Sequence, residues 1–135
     1  MKNRFVKEKI QDKSAVKKDF LREVKDSLST MVIFGITGGV LLGTPLREYT
    51  QIYTDPDKFG WVYLVLSIPV ALIIHDTYFY WTHKWMHNKN VYKKFHLTHH
   101  KSINPSPWAS YTFSWREGFV QSGIVYLLAF LIPMQ

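Results

Sequence analysis

The stretch FGWVYLVLSIPVALIIHDTYFYWTHKWMH, residues 59–87, decides how the chain is read. Residues 59–75 carry no Asp, Glu, Lys or Arg, and Tyr78, Phe79, Tyr80 and Trp81 follow within one turn. An uncharged run of this length is slightly short for a helix crossing a ~30 Å hydrocarbon core. The aromatic residues extend it through the interfacial layer, where amphipathic rings are favoured. Pro69 predicts a kink, because it removes one backbone donor and clashes with the preceding turn. The run then delivers His83 and His87 four residues apart, on one face of a helix.

Two further uncharged runs flank this one. SLSTMVIFGITGGVLLGTPL (27–46) has 20 residues, and GFVQSGIVYLLAFLIPMQ (118–135) has 18. Three such runs in 135 residues leave too little polar surface to enclose them as core helices of a soluble protein. A cleaved signal peptide is excluded by the 26 mostly polar residues before the first run and by the lack of a small-residue cleavage pattern after it. The expectation is an all-α integral membrane bundle with spans near 27–46, 59–75 and 118–135.

Charge orients the bundle. Residues 1–26 carry nine Lys/Arg against five Asp/Glu, residues 47–58 carry two against three, and residues 76–117 carry six against two. The positive-inside rule puts the N-terminus and the histidine segment on the cytoplasmic side. Within the basic segment 1–26 and just beyond it, Val16, Phe20, Leu21, Val24 and Leu28 recur at helical spacing, predicting an amphipathic helix at the interface ahead of the first span. The net charge of +7 does not indicate nucleic-acid binding. The basic residues flank apolar runs and are mixed with acids, as expected beside anionic lipid heads. Cysteine is absent, which excludes disulfides and thiolate ligation.

All six histidines lie between residues 75 and 100. His83-Lys-Trp-Met-His87 and His96-Leu-Thr-His99-His100 carry spacings of three and four that gather imidazoles on one helical face. Zinc-peptidase chemistry needs a glutamate directly after the first histidine, and that position is Lys84. Zinc is satisfied by four ligands, whereas five well-spaced imidazoles invite two metals. Nitrogen-rich sites with open positions suit iron that binds dioxygen. The candidate ligands are His83, His87, His96, His99 and His100. His75 lies roughly 12 Å before His83 along a helix and is assigned a supporting or structural role. Asp76 either orients a ligand or caps the membrane end. A metal transporter would carry ionisable ligands near the bilayer midplane, and here the histidines lie at or beyond a span end. A lipid that stays partly in the bilayer can present a carbon to a centre held there.

YFYWTHKWMH, VYKKFHLTHHKS, PSPWASYTF and EGFVQS together resemble the fatty acid hydroxylase and sterol desaturase superfamily, most closely its lathosterol oxidase (sterol 5-desaturase) branch. The resemblance runs from about Asp76 to Gln121, inside a partial domain of residues 27–135. It implies O2-dependent desaturation or hydroxylation of a membrane lipid, such as a sterol or fatty acyl chain, at a non-haem diiron centre. Electrons would come from NAD(P)H through cytochrome b5 or a ferredoxin-like carrier. It also implies residence in the endoplasmic reticulum of a eukaryote or the inner membrane of a bacterium, with the boxes cytoplasmic. His83 and His87 match the family's first histidine box, and His96, His99 and His100 its second.

Two departures stand out. Tyr111 and Ser114 occupy positions where the sterol branch carries histidines. The family's third box is absent from the 135 residues, so the chain reads as roughly the first half of such an enzyme. The alternative is a non-catalytic truncated membrane protein that keeps a structural or regulatory metal site. Trp108, Tyr111, Phe113 and Trp115 read as an interfacial aromatic belt, Arg116 and Glu117 as the start of the third span. Lys89, Lys93, Lys94 and Lys101 suit anionic lipid or an acidic electron carrier.

Overall fold

The structure is a computed structural model and describes residues 16–135. The part of the basic segment before Val16 lies outside the described residues. Among the described residues there are four α-helices: α1 (Lys17–Gly43), α2 (Gly60–Met86), α3 (Lys89–Phe95) and α4 (Trp115–Leu131). Short 3-10 turns fill the connections, and no named strand occurs among the described residues.

α1 differs from expectation in being one continuous helix. No proline or turn signal separates the charged residues 17–26 from the apolar run, so the interfacial helix and the first span merge. It ends at Gly43, a few residues short of position 46, because Pro45 disfavours a helical conformation at Thr44, which is extended. α2 runs unbroken through Pro69 and carries the apolar stretch directly into the first histidine box.

Both 27-residue helices are long and apolar enough to cross a membrane, and none of the apolar stretch of α2 is buried. Val62 is 75% exposed and Ile73 67%. Leaving rows of such side chains in water costs roughly 1.5–3 kcal/mol each relative to an apolar surrounding. Among the described residues, then, the outer surface of α2 is that of a lipid-facing helix.

α4 is the central helix and packs against α1, α2 and α3. It has 17 residues, about 26 Å at 1.5 Å per residue, and stops before the expected end at 135. Pro133 cannot continue it, and the last residues instead pair with the loop after α1. Gln51 N–H donates to Ala129 O (2.8 Å) and Tyr53 N–H to Met134 O (2.8 Å). Tyr63 Oη donates to Pro133 O (3.0 Å).

The α1–α4 seam is rich in small and polar side chains. Ser27, Thr30, Thr37 and Leu41 are buried on α1, at spacings of three, four and seven; Gly118, Ser122 and Ala129 are buried on α4. Small residues let apolar helices approach closely where the hydrophobic effect cannot draw them together. Thr37 and Ser122 hydrogen-bond across the seam at 3.0 Å, fully buried.

The α2–α4 contact turns on Gly123. A Cβ there would sit 2.5 Å from Tyr78 Oη, which donates to Val120 O. Gly123→Ala is expected to lower stability by about 1–3 kcal/mol, the usual range for overpacking. Thermal unfolding in detergent checks this. Tyr78→Phe removes the clashing oxygen, so in the double variant the alanine should cost much less. Equal losses with and without the hydroxyl would refute the assignment.

Candidate metal centre

The centre forms where three segments meet. His83 and His87 come from the last turn of α2 and its C-cap, His96 from the C-cap of α3, and His100 from the 3-10 turn His99–Lys101. The turn between α2 and α3 is tight because Asn88 caps α3, its side chain accepting from Asn90 N–H at 3.1 Å. α3 is only seven residues long, so His96 returns to the end of α2. The ring centroids of His83 and His96 are 4.3 Å apart, those of His87 and His96 4.8 Å, and those of His96 and His100 4.6 Å.

One nitrogen from each of His83, His87, His96 and His100 lies within 4.8 Å of the others. A metal holding imidazoles at about 2.1 Å needs ligand atoms at most about 4.2 Å apart. The widest of these separations exceeds that limit by about 0.6 Å, so the four nitrogens draw together when they share one ion. The donor chemistry also fits. His83 Nε2 and His87 Nε2 face each other at 3.1 Å, and His96 Nε2 is buried with no hydrogen-bond partner. A buried nitrogen without a partner costs about 1–3 kcal/mol, which a coordinated cation removes.

Burial, with the neighbouring His87 ring, pushes His96 down to about 4. Burial and the rings of His96 and His87 also lower His100. Both imidazoles are therefore neutral near pH 7, the form that ligates.

His99 stands outside this group of four. Its ring stacks on His96 at 5.4 Å and meets Phe113 at 5.5 Å. It hydrogen-bonds the Thr112 backbone, and its Nδ1 is buried without a partner. The preceding Thr98 is helical, and consecutive residues cannot both project to one side of a turn. His99 and His100 accordingly meet different neighbours, His99 facing Phe113 and His100 facing His87 and Tyr92.

His75 and Asp76 are also apart from the cluster. They pair with each other, Nδ1 to Oδ1 at 3.0 Å, and are 49% and 82% exposed. A column of rings nevertheless links His75 to the centre, His75 on Phe79 at 6.3 Å and Phe79 on His83 at 5.6 Å. Of the aromatic residues expected in a belt, Tyr111 and Trp115 are exposed, while Phe113 is buried against His99.

Two neighbours of the cluster were not singled out by their sequence context. Tyr92, four residues before His96, lays its ring against His87, His96 and His100. Glu117, expected only at the start of a span, is fully buried with Oε1 2.6 Å from His96 Nδ1. The available signal was that Glu117 is the sole carboxylate between residues 77 and 135. Ser114, where the sterol branch has histidine, caps α4 by accepting from Glu117 N–H and donates to Phe95 O. It thereby fixes both ends of the His96–Glu117 pair.

The fatty acid hydroxylase family profile matches residues 68–135. The chain is 31% identical over 120 residues to a Delta(7)-sterol 5(6)-desaturase of Gibberella zeae, covering 89% of this chain and 37% of that protein. It is 31% identical over 121 residues to the lathosterol oxidase of Homo sapiens, covering 88% and 40%. It is 33% identical over 104 residues to a Delta(7)-sterol 5(6)-desaturase of Schizosaccharomyces pombe, covering 73% and 35%. The chain thus spans about two fifths or less of the length of these relatives. No solved structure gives a significant match.

Proposed function

The chain belongs to the fatty acid hydroxylase family, and on that premise we propose that it takes part in the O2-dependent oxidation of a membrane lipid, a sterol before a fatty acyl chain, at a diiron centre. The observation that carries the proposal is the convergence of four imidazoles from two histidine boxes at the end of a lipid-facing helix. His83, His87, His96 and His100 hold one iron, and His99 contributes to the second. Iron so bound supplies the activation of dioxygen needed to draw a hydrogen from an unactivated lipid carbon.

The chain's own residues prepare that chemistry. The neutral imidazoles offer lone pairs without first shedding protons. Phe79 and Tyr80, with His83, line a shallow cavity of about 240 Å³ on α2 beside the centre, where an apolar lipid body meets the ligands. Lys89, Lys93, Lys94 and Lys101 are exposed around the same end of the bundle. They set a positive field toward an acidic electron carrier delivering NAD(P)H electrons, and toward anionic lipid heads. The excess of Lys over acidic residues at this end supports a centre on the cytoplasmic side, of the endoplasmic reticulum in a eukaryote or of the inner membrane in a bacterium.

The test is metal and lipid analysis together. The full chain, expressed with iron and extracted in mild detergent, is expected to carry iron, and membranes holding it should gain an oxidised lipid only in the presence of oxygen. Absence of iron, with an unchanged lipid profile, overturns the proposal. A second reading has its own support, since four nitrogens within 4.8 Å suffice for one ion in a structural or regulatory site. One firmly held ion per chain and no lipid product would favour it.

A further inference from the structure

We infer that Glu117 is a positioning residue of the metal centre, holding the His96 proton on Nδ1 so that Nε2 presents its lone pair to the metal. The inference rests on the metal reading above and concerns a residue that neither histidine box contains.

The geometry is specific. His96 Nδ1 and Glu117 Oε1 are 2.6 Å apart, and both side chains are completely buried. His96 has two ring nitrogens: one meets the carboxyl, and the other, Nε2, lies among the cluster nitrogens with no hydrogen-bond partner. A carboxylate can only accept, so once ionised it fixes the proton on Nδ1. An imidazole held in this way is oriented and made a better donor to metal. The pair also joins two elements, since His96 caps α3 and Glu117 lies in the first turn of α4.

A carboxylate in this surrounding has no other evident purpose. No Lys or Arg pairs with it among the described residues, and its Oε2 has no hydrogen-bond partner. A buried carboxyl with one oxygen left without a hydrogen-bond partner costs stability. Cationic charge at the four imidazoles offsets that cost, because a bound ion inverts the local preference.

Glu117→Gln separates position from fold. The amide matches the carboxyl in size, but its NH2 can donate to Nδ1 and move the His96 proton to Nε2, removing the lone pair. Co(II), titrated into the detergent-solubilised full chain and followed by its visible absorption, reads affinity without requiring turnover. Glu117→Gln is expected to weaken binding 10–100-fold, the range for loss of such a partner. Glu117→Asp, which keeps the carboxylate, should recover a large part of it.

A second readout needs no variant. In the chain loaded with Zn(II), 15N-edited histidine spectra should contain an Nδ1–H proton moved far downfield by a short hydrogen bond. Affinity within about threefold of the parent for Glu117→Gln, or absence of that proton, overturns the assignment. Failure of the unaltered chain to bind Co(II) overturns instead the metal reading from which it proceeds.

Discussion

Replacing His96 by alanine is expected to abolish metal binding and any lipid oxidation, whereas His99→Ala should leave the first ion in place. His96 is the hub of the cluster. Its ring lies within 5.4 Å, centroid to centroid, of those of His83, His87, His99 and His100, and it alone of the four candidate ligands is fully buried. Removing it leaves three imidazoles, two of them exposed, and takes away the one fully buried ring of the four. Affinity should fall by more than two orders of magnitude, on the order of 3 kcal/mol at 1.4 kcal/mol per tenfold. His99 touches Phe113 and Thr112 instead, so its loss should reduce the metal content by no more than one of two ions. Isotope-dilution metal analysis of both variants checks this. If His99→Ala lost all metal while His96→Ala kept it, the four-imidazole grouping would be wrong.

The fold of His96→Ala needs separate attention, since Glu117 would lose its imidazole partner. Its carboxyl, already pushed up to about 8 by burial, can stay protonated at neutral pH, which avoids the larger cost of a stranded charge. His83→Ala, which leaves the His96–Glu117 pair intact, serves as the comparison. Both variants should lose metal, and only His96→Ala should also lose appreciable stability.

Periodicity and charge made much of this molecule legible. The uncharged runs at 27–46 and 59–75 correspond to α1 and α2, because an apolar run of about 20 residues has few alternatives to a helix in lipid. The limits of the runs were less informative. α1 begins ten residues earlier than its uncharged run, since a helix can leave the membrane without breaking. α4 ends four residues before Gln135, since backbone pairing of 51–53 with Met134 is a tertiary contact that no local pattern announces.

At the site, i, i+4 spacing at the C-terminal end of α2 implies that His83 and His87 share one face, and their Nε2 atoms lie 3.1 Å apart. The same rule could not separate His99 from His100, because they sit in a 3-10 turn and not in a regular helix. The contribution of Glu117 was hidden by distance, 21 residues from His96. Only the return of α4 against α3 brings them together.

The second large effect is expected at Glu23, far from the histidines in sequence and at the opposite edge of the segment that carries them. Pro105 and Pro107 prevent residues 102–107 from forming a helix of their own, so the segment between the second histidine box and α4 must be held by side chains. α1 supplies them. Glu23, 1% exposed, accepts from both the backbone N–H and the hydroxyl of Ser106. Arg22 donates to Lys101 O and Ser102 Oγ, and Ser27 donates to Trp108 O.

Hydrogen bonds to a charged group contribute about 1.5–3 kcal/mol each. Glu23→Leu, similar in volume but unable to accept, should therefore cost about 3–5 kcal/mol and leave the Ser106 N–H without its partner. Glu23→Gln keeps an acceptor and should lose roughly 1–2 kcal/mol, since only the charge is removed. Because His100 directly precedes the clamped Lys101, the loss should spread. Backbone amide exchange across 99–108 is expected to quicken in Glu23→Leu, while the α2–α4 contact near Gly123 keeps its protection. Metal affinity should fall less than with His96→Ala, because the other three imidazoles remain positioned. If exchange were unchanged across 99–108, α1 would not be what anchors the second histidine box, and α4 with its Ser114–Phe95 bond would have to hold it alone.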